Sequence, residues 1–111
     1  MNKELAYLYG FSTRKKVYLD NLLGVLKDQT ENGSSIAIVL IHDGVIGTSQ
    51  SGTIPSSLDK LLSLSVSVFA MTPDILARGI EPSTVDPRIK CIDYDELVDI
   101  LAKTPKIASW M

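Results

Sequence analysis

A run of six apolar residues, Ile36-Ala-Ile-Val-Leu-Ile41, constrains the fold of this chain more than any other stretch. Most of these residues are β-branched, and the run is too short for a helix of ordinary length. It therefore predicts a strand buried on both faces, as the central strands of parallel sheets are. Polarity changes abruptly at His42. Because open α/β sheets meet ligands and partners at the carboxyl ends of their strands, we expect any functional site between His42 and Thr53.

Shorter apolar runs predict three further strands, at 5–9, 66–71 and 89–92. Segments with apolar residues at helical spacing separate these strands. Strand and helix alternate throughout, which implies parallel strands joined by right-handed crossovers. The chain 1–111 is therefore predicted to form a single-domain α/β fold, in which a doubly wound, mostly parallel sheet carries helices on both faces.

The expected helix boundaries follow from capping and stop residues. Ser12 or Thr13 is the expected cap of the first helix, and Gly33 is its expected stop in the left-handed conformation. Thr53 is the expected cap of the second helix. A third, short helix is expected to begin at Thr72, where a proline and a carboxylate follow in the first turn.

The last helix and the segment after it are predicted from their own signals. Asp93, followed three residues later by Glu96, resembles a capping box. Residues 106–111 are expected to form a C-terminal tail, which contains the only tryptophan, Trp110. That tryptophan could dock on its own sheet or on another subunit, and the sequence favours neither. The buried face of the last helix is predicted to contain four residues: Tyr94, Leu97, Val98 and Leu101.

Composition excludes several classes of function. The net charge is −2, and basic residues are concentrated only at Arg14-Lys15-Lys16, so a nucleic-acid face is not expected. The single cysteine, Cys91, cannot form an intrachain disulfide. No apolar run reaches the ~20 residues needed to cross a bilayer, and no signal peptide is visible. The expected compartment is the cytoplasm, without membrane association.

Four stretches resemble the TusB/DsrH family in order and spacing: 40–45, 68–79, 92–98 and the near-terminal Ser109-Trp110. The resemblance covers roughly residues 35 to 111. It implies a DsrE/F-like, Rossmann-like three-layer α/β fold. It also implies a subunit of a cytoplasmic sulfur-relay complex, which serves 2-thiolation of the tRNA wobble uridine or, in sulfur oxidisers, dissimilatory sulfur metabolism.

The same resemblance implies partners and a division of labour. DsrE/F-type (TusD/TusC-like) homologous subunits would be partners, with self-association as the other arrangement and a TusA-like sulfur carrier as a further contact. The sulfur-carrying cysteine would lie on the DsrE-type partner, while the TusB-type subunit is mostly structural. Some DsrH-type members have a cysteine near the start of the chain, but here the first helix region has Asp20 and no cysteine. His42 also stands where the family commonly shows glutamine. No metal or organic cofactor is implied.

The candidate site residues are therefore binding or interface residues, namely His42, Asp43, Gly44 and Trp110. No catalytic residue is assigned, because no nucleophile and base can be paired from the sequence. Two alternatives stay open. Cys91 could itself carry a persulfide, although an apolar strand is a poor setting for a reactive thiolate. The loops Ser12–Lys16 and His42–Thr53 could instead form a module that binds a small anion.

Overall fold

A computed structural model describes residues 3–111, and its centre is one five-stranded parallel sheet in the order β4-β3-β2-β1-β5. Every neighbouring pair of strands runs parallel, as the central apolar run predicted. All five residues of β2 are buried. The strands span β1 Leu5–Tyr9, β2 Ile36–Leu40, β3 Ser67–Met71, β4 Ile89–Ile92 and β5 Lys106–Trp110.

The strand order determines which face each helix covers. The connections from β1 to β4 all step in one direction across the sheet, so right-handed crossovers place their helices on one face. The connection from β4 to β5 returns across the whole sheet and places its helix on the other face. The predicted α/β fold with helices on both faces is confirmed. The helices span α1 Lys16–Glu31, α2 Ser56–Leu62, α3 Thr72–Ala77 and α4 Tyr94–Lys103, and single 3₁₀ turns lie at His42–Val45 and Pro82–Thr84.

The two faces of the sheet bury different amounts of apolar surface. The face under α1 and α2 contains the larger core, which includes Leu22, Leu40 and Leu58. The opposite face has only a small buried cluster, which Leu97 and Ile100 of α4 partly cover. Helix α4 thus lies over one face of the sheet, while α1, α2 and α3 lie over the other.

Helix α4 differs from the prediction in the face it buries. Its capping box is present, since Asp93 Oδ1 accepts from the backbone N–H of Glu96 at 2.8 Å and Glu96 Oε1 accepts from that of Asp93 at 3.4 Å. Tyr94 and Val98, however, are 63% and 62% exposed, so their predicted burial is wrong. The helix is turned so that Leu97 faces the sheet, which leaves the row formed by Tyr94 and Val98 on its flank.

Residues 106–110 form a strand, whereas the sequence predicted a tail. β5 pairs in parallel with β1, with Lys106 opposite Leu5 and Trp110 opposite Tyr9. The segment is short and follows Pro105 directly, so its strand character depends on the partner strand more than on its own pattern. Its burial is low, as is common for an edge strand.

The starts of α1 and α2 also differ from the prediction. Helix α1 begins at Lys16, and within the described residues no side chain caps it. Thr13 is buried and its hydroxyl donates to the backbone carbonyl of Ile46 instead, which ties the two loops together. Helix α2 begins after Pro55, so Thr53 is not its cap. Gly33, by contrast, follows α1 with φ of +83°, as predicted.

Candidate functional site

The carboxyl end of β2 leads into an unusual turn. The chain enters a 3₁₀ turn at His42, whose φ is 49°, a left-handed value that costs a non-glycine residue on the order of 1–2 kcal/mol. Gly44 packs against the backbone carbonyl of Tyr9, and a Cβ at this position would overlap the oxygen. The Asp43-Gly44 pair therefore lies in a tight turn, and the geometry of that turn requires glycine at 44.

A cluster of charged side chains braces this turn. The backbone N–H of His42 donates to Asp74 Oδ2 at 2.9 Å. The guanidinium of Arg78 donates to Asp43 Oδ1 from Nε at 3.2 Å and from Nη2 at 3.1 Å. Arg78 Nη1 also lies 3.4 Å from the backbone carbonyl of Asp74 and 3.8 Å from its carboxylate. We call His42, Asp43, Asp74 and Arg78 the carboxyl-end cluster.

The carboxyl-end cluster joins residues that the sequence analysis treated separately. His42 and Asp43 were predicted site residues, whereas Asp74 and Arg78 were not. The available signal was the spacing of Asp74 and Arg78, four residues apart at the carboxyl end of the neighbouring strand. Asp74 and Arg78 are mostly buried, while His42 and Asp43 are exposed. The half-buried pair, Asp74 and Arg78, therefore supports the exposed pair, His42 and Asp43.

The chemistry available to this cluster is that of contact and orientation. None of its four side chains is a thiol or hydroxyl nucleophile, and the guanidinium of Arg78 is already directed at two carboxylates. Among residues 3–111, no group of three or more potential ligands could hold a metal ion. The arrangement is suited to presenting a fixed polar surface to another molecule.

Cys91 is not a member of this cluster; it lies in β4, next to β3 in the sheet. Its side chain is half-buried and packs against the larger core, opposite Ala70 of β3. Burial raises the pKa of the Cys91 thiol, because removal from water disfavours the charged thiolate. Lys90 is exposed on the other side of the strand and lies 3.8 Å from Glu96. The nearest lysine in sequence is thus poorly placed to activate the sulfur.

The loop after the carboxyl-end turn is tied to the segment before β4. Ser49 Oγ donates to Thr84 Oγ1 at 2.8 Å, and the backbone N–H of Gln50 donates to the carbonyl of Thr84 at 2.7 Å. The backbone N–H of Asp86 donates to the carbonyl of Thr48 at 2.9 Å. These hydrogen bonds hold the loop 46–53 against the segment 84–86 that precedes β4.

Trp110 lies at the carboxyl end of the edge strand β5, beside the end of β1. Its ring meets that of Tyr7 edge-on, with centroids 6.5 Å apart, and its backbone carbonyl accepts from the N–H of Gly10 at 2.9 Å. The tryptophan therefore docks on its own sheet and remains half-buried. The exposed part of its ring is available to a second molecule.

The fold and this site define a small α/β protein with a braced polar surface at the carboxyl ends of its strands. Within residues 3–111, no helix combines the length and apolar character that a membrane span requires. The sequence matches the family described as DsrH like protein over residues 12–107. The chain belongs to this TusB/DsrH family, which confirms the resemblance seen in its motifs.

Individual relatives agree with this assignment. The chain is 32% identical over 74 residues to Protein TusB of Pectobacterium carotovorum, covering 67% of this chain and 74% of the relative. It is 34% identical over 92 residues to Protein TusB of Pectobacterium atrosepticum, covering 83% and 86%. The crystal structure of the ychN protein from E. coli superposes with a TM-score of 0.76 at 16% identity, covering 99% of this chain and 100% of that one. The last comparison shows a shared fold.

Proposed function

We propose that this chain is an accessory, non-catalytic subunit of a cytoplasmic sulfur-relay complex. In this role it supports transfer of persulfide sulfur toward 2-thiolation of the tRNA wobble uridine, or toward dissimilatory sulfur metabolism. Membership of the TusB/DsrH family supports the class of function. No step of the transfer is assigned to a residue of this chain.

The observation that carries the proposal is the setting of Cys91. A persulfide carrier needs an accessible thiol with a lowered pKa. Cys91 is the only cysteine, it is half-buried, and burial raises the pKa of its thiol. The sulfur of the relay would therefore reside on a partner, as the family resemblance implied.

The surface offered to that partner would include His42 and Asp43, with Trp110 at the far side of the sheet end. Gly44, predicted as an interface residue, is buried and shapes the turn beneath them. Backbone strain in folded proteins is concentrated at functional sites, and His42 adopts a strained conformation at the carboxyl end of the central strand. Tryptophan is enriched among the residues that dominate interface energies. The expected partners are homologous DsrE/F-type (TusD/TusC-like) subunits or further copies of this chain, together with a TusA-like sulfur carrier. Direct contact with nucleic acid is not expected.

Radiolabelled sulfur tests the proposal. The purified chain is incubated with a ³⁵S-persulfide donor and a DsrE-type partner, and protein-bound label is measured on each subunit under non-reducing conditions. Label is expected on the partner alone, and Cys91→Ser should support the same transfer rate as the unmodified chain. Stable label on this chain, together with loss of transfer in Cys91→Ser, would assign it the carrier role instead.

A second measurement tests the proposed surface. His42→Ala should weaken binding to the DsrE-type partner without lowering the melting temperature, because the exposed imidazole adds little to folding. Gln50→Ala, an exposed change in the tied loop, is the matched control and should leave binding unchanged. Equal partner affinity for His42→Ala and the unmodified chain would remove His42 from the interface.

A further inference from the structure

A half-enclosed cavity of about 450 Å³ lies at the amino ends of β1 and β5, the opposite end of the sheet from the carboxyl-end cluster. Four segments converge on it: the start of β1, the last turns of α1, the turn before β2 and the start of β5. Pockets that hold small molecules have volumes of about 300–1,000 Å³. We call this space the amino-end cavity, and its polar lining residues are Glu4, Gln29, Ser34 and Lys106.

The apolar part of the lining is held in place before anything binds. It consists of Leu5, Tyr7 and Pro105. Tyr7 belongs to the larger core and is buried, and Trp110 of β5 meets its ring edge-on. A small aliphatic group that entered the cavity would therefore leave water for an apolar surface that is already formed.

Tyr7 also orients a polar group of the lining. Its hydroxyl donates to Gln29 Oε1 at 2.9 Å. Because that oxygen is occupied, the amide nitrogen of Gln29 is the group left to bond a further molecule, and an amide nitrogen only donates. The ammonium of Lys106 also only donates. The cavity thus has two donor side chains, on α1 and on β5, that suit one carboxylate.

The two charged residues of the lining are kept apart. Lys106 lies opposite Leu5 in the pairing of β5 with β1, so it is close in the sheet to the residue that follows Glu4. Within residues 3–111, however, neither Glu4 nor Lys106 forms an ion pair, with the other or with a third side chain. Glu4 Oε1 instead accepts from the backbone N–H of Ser35 at 3.4 Å, on the side of β2. A ligand with a cation and an anion of its own would complement both walls.

We infer that the amino-end cavity binds a free α-amino acid with an aliphatic side chain. The ammonium of the ligand pairs with Glu4, and the hydroxyl of Ser34 is a further acceptor. The carboxylate of the ligand pairs with Lys106 and accepts from the amide of Gln29. Its side chain lies on the apolar part of the lining. The inference goes beyond the proposed function and uses no residue of the carboxyl-end cluster, so each can fail without the other.

Three probes with the same aliphatic body test the assignment. L-Leucine has both charged groups, 4-methylpentanoate lacks the ammonium, and 3-methylbutylamine lacks the carboxylate. Each is titrated into the full ¹⁵N-labelled chain, and the backbone amide shifts give the affinity and the location of binding. Leucine is expected to bind at least about tenfold more tightly than either of the other probes, because each lacks one charged hydrogen bond. Equal affinity for all three, or no shift with millimolar leucine, would overturn the inference.

Two variants assign the charged groups. Lys106→Gln should weaken leucine binding at least about fivefold without weakening that of 3-methylbutylamine, which has no carboxylate to lose. Glu4→Gln should weaken leucine binding without weakening that of 4-methylpentanoate, and glutamine keeps an oxygen for the N–H of Ser35. The same changes at exposed positions outside the cavity, Lys60→Gln and Glu81→Gln, are the matched controls and should bind leucine as the unmodified chain does. Circular dichroism checks that every variant folds.

The pattern across probes and variants decides the outcome. A Lys106→Gln variant that binds leucine as well as the unmodified chain, a variant that weakens all three probes equally, or a control as weak as the cavity variants would each overturn the inference. If leucine does not bind but the DsrE-type partner still receives label in the transfer assay, the proposed function survives and only the cavity assignment is disproved. Loss of transfer in Cys91→Ser with leucine binding intact would disprove the accessory role alone.

Discussion

The carboxylate of Asp74 accepts a hydrogen bond from the backbone N–H of His42, with 2.9 Å between nitrogen and oxygen. The bond connects the first turn of α3 to the end of β2, and it holds His42 where φ is 49°. Arg78 Nη1 lies 3.8 Å from the other oxygen of the same carboxylate, Asp74 Oδ1. The strained turn at His42 is therefore held by a residue of α3, which follows the neighbouring strand β3.

Replacing Asp74 tests this brace. Asp74→Ala should lower the free energy of unfolding by about 0.5–1.5 kcal/mol, because the His42 N–H loses its acceptor and Arg78 loses a partner. Asp74→Asn retains an acceptor oxygen and should recover most of the loss. Asp43→Ala is the control, since it removes only the ion pair between Arg78 and the exposed Asp43, and a pair with an exposed partner is typically worth less than about 1 kcal/mol. Urea unfolding measures all three. Equal losses in Asp74→Asn and Asp74→Ala would show that the hydrogen bond to His42 is not the source of the stability.

Tyr9 gives a prediction about high pH. Its ring is fully buried, and within the described residues its hydroxyl has no hydrogen-bond partner. Tyr9→Phe removes this unsatisfied group and should raise the free energy of unfolding by about 1 kcal/mol. Burial also raises the pKa of Tyr9 from 10.0 to about 12.

The direction of that pKa shift sets the pH range of the effect. Above pH 10 the unfolded chain loses the Tyr9 proton while the folded chain keeps it, so stability should fall between pH 10 and about 12. Tyr9→Phe should show less of this fall when melting temperature is followed from pH 8 to 12. A Tyr9→Phe variant that is less stable at pH 8 would point to a bound water or another partner on the hydroxyl.

Asp86 gives a prediction about acid. Its carboxylate is buried and accepts from Arg88, which also reaches the exposed carboxylate of Asp59 at 2.9 Å. The hydrogen bond from Arg88 lowers the pKa of Asp86 below its ordinary 3.8. The pair therefore contributes stability above about pH 4, and this contribution is lost as pH falls through the lower folded pKa.

Asparagine variants separate the two carboxylates. Asp86→Asn should lower the free energy of unfolding at pH 7 by about 1–3 kcal/mol, because a buried acceptor of Arg88 is weakened. Asp59→Asn, which changes only the exposed partner, should cost less than about 1 kcal/mol. The acid-dependent loss below pH 4 should be smaller in Asp86→Asn than in the unmodified chain. Identical acid profiles would assign that loss to other carboxylates.

Trp110 gives a prediction about the edge of the sheet. Trp110→Ala should lower the free energy of unfolding by about 1–3 kcal/mol, because the ring packs edge-on against Tyr7 and is half-buried. Ile107 lies in the same strand, but its side chain is 47% exposed. Ile107→Ala should therefore lower the free energy of unfolding by less than about 1 kcal/mol. Thermal melts compare the two. A loss for Ile107→Ala as large as that for Trp110→Ala would mean that strand pairing, and not the ring, anchors β5.

Much of the fold could be predicted because its main signals are local. The apolar run of β2 indicated a buried parallel strand, and Gly33 follows α1 with positive φ, as predicted for its stop. The Asp93 capping box depends on two residues three apart, and it is present as predicted. Such features need no knowledge of distant segments.

The missed features depend on distant partners. Whether Tyr94 faces the sheet is decided by how α4 turns over a face that strands from the whole chain create. Residues 106–110 become a strand because β1 offers an open edge. Asp74 and Arg78 join the carboxyl-end cluster only because β2 and β3 are neighbours in the sheet. Periodicity and capping rules contain none of this information.

The pairing of β5 with β1 joins segments that lie about a hundred residues apart. During synthesis, β1 leaves the ribosome early, can acquire β2 within a few seconds, and then keeps one unpaired edge until β5 follows. An open edge of this kind recruits strands from other molecules. Chains in which β5 has not yet been made are thus expected to depend on chaperones, because β5 replaces the open edge of β1 with its own, mostly exposed strand.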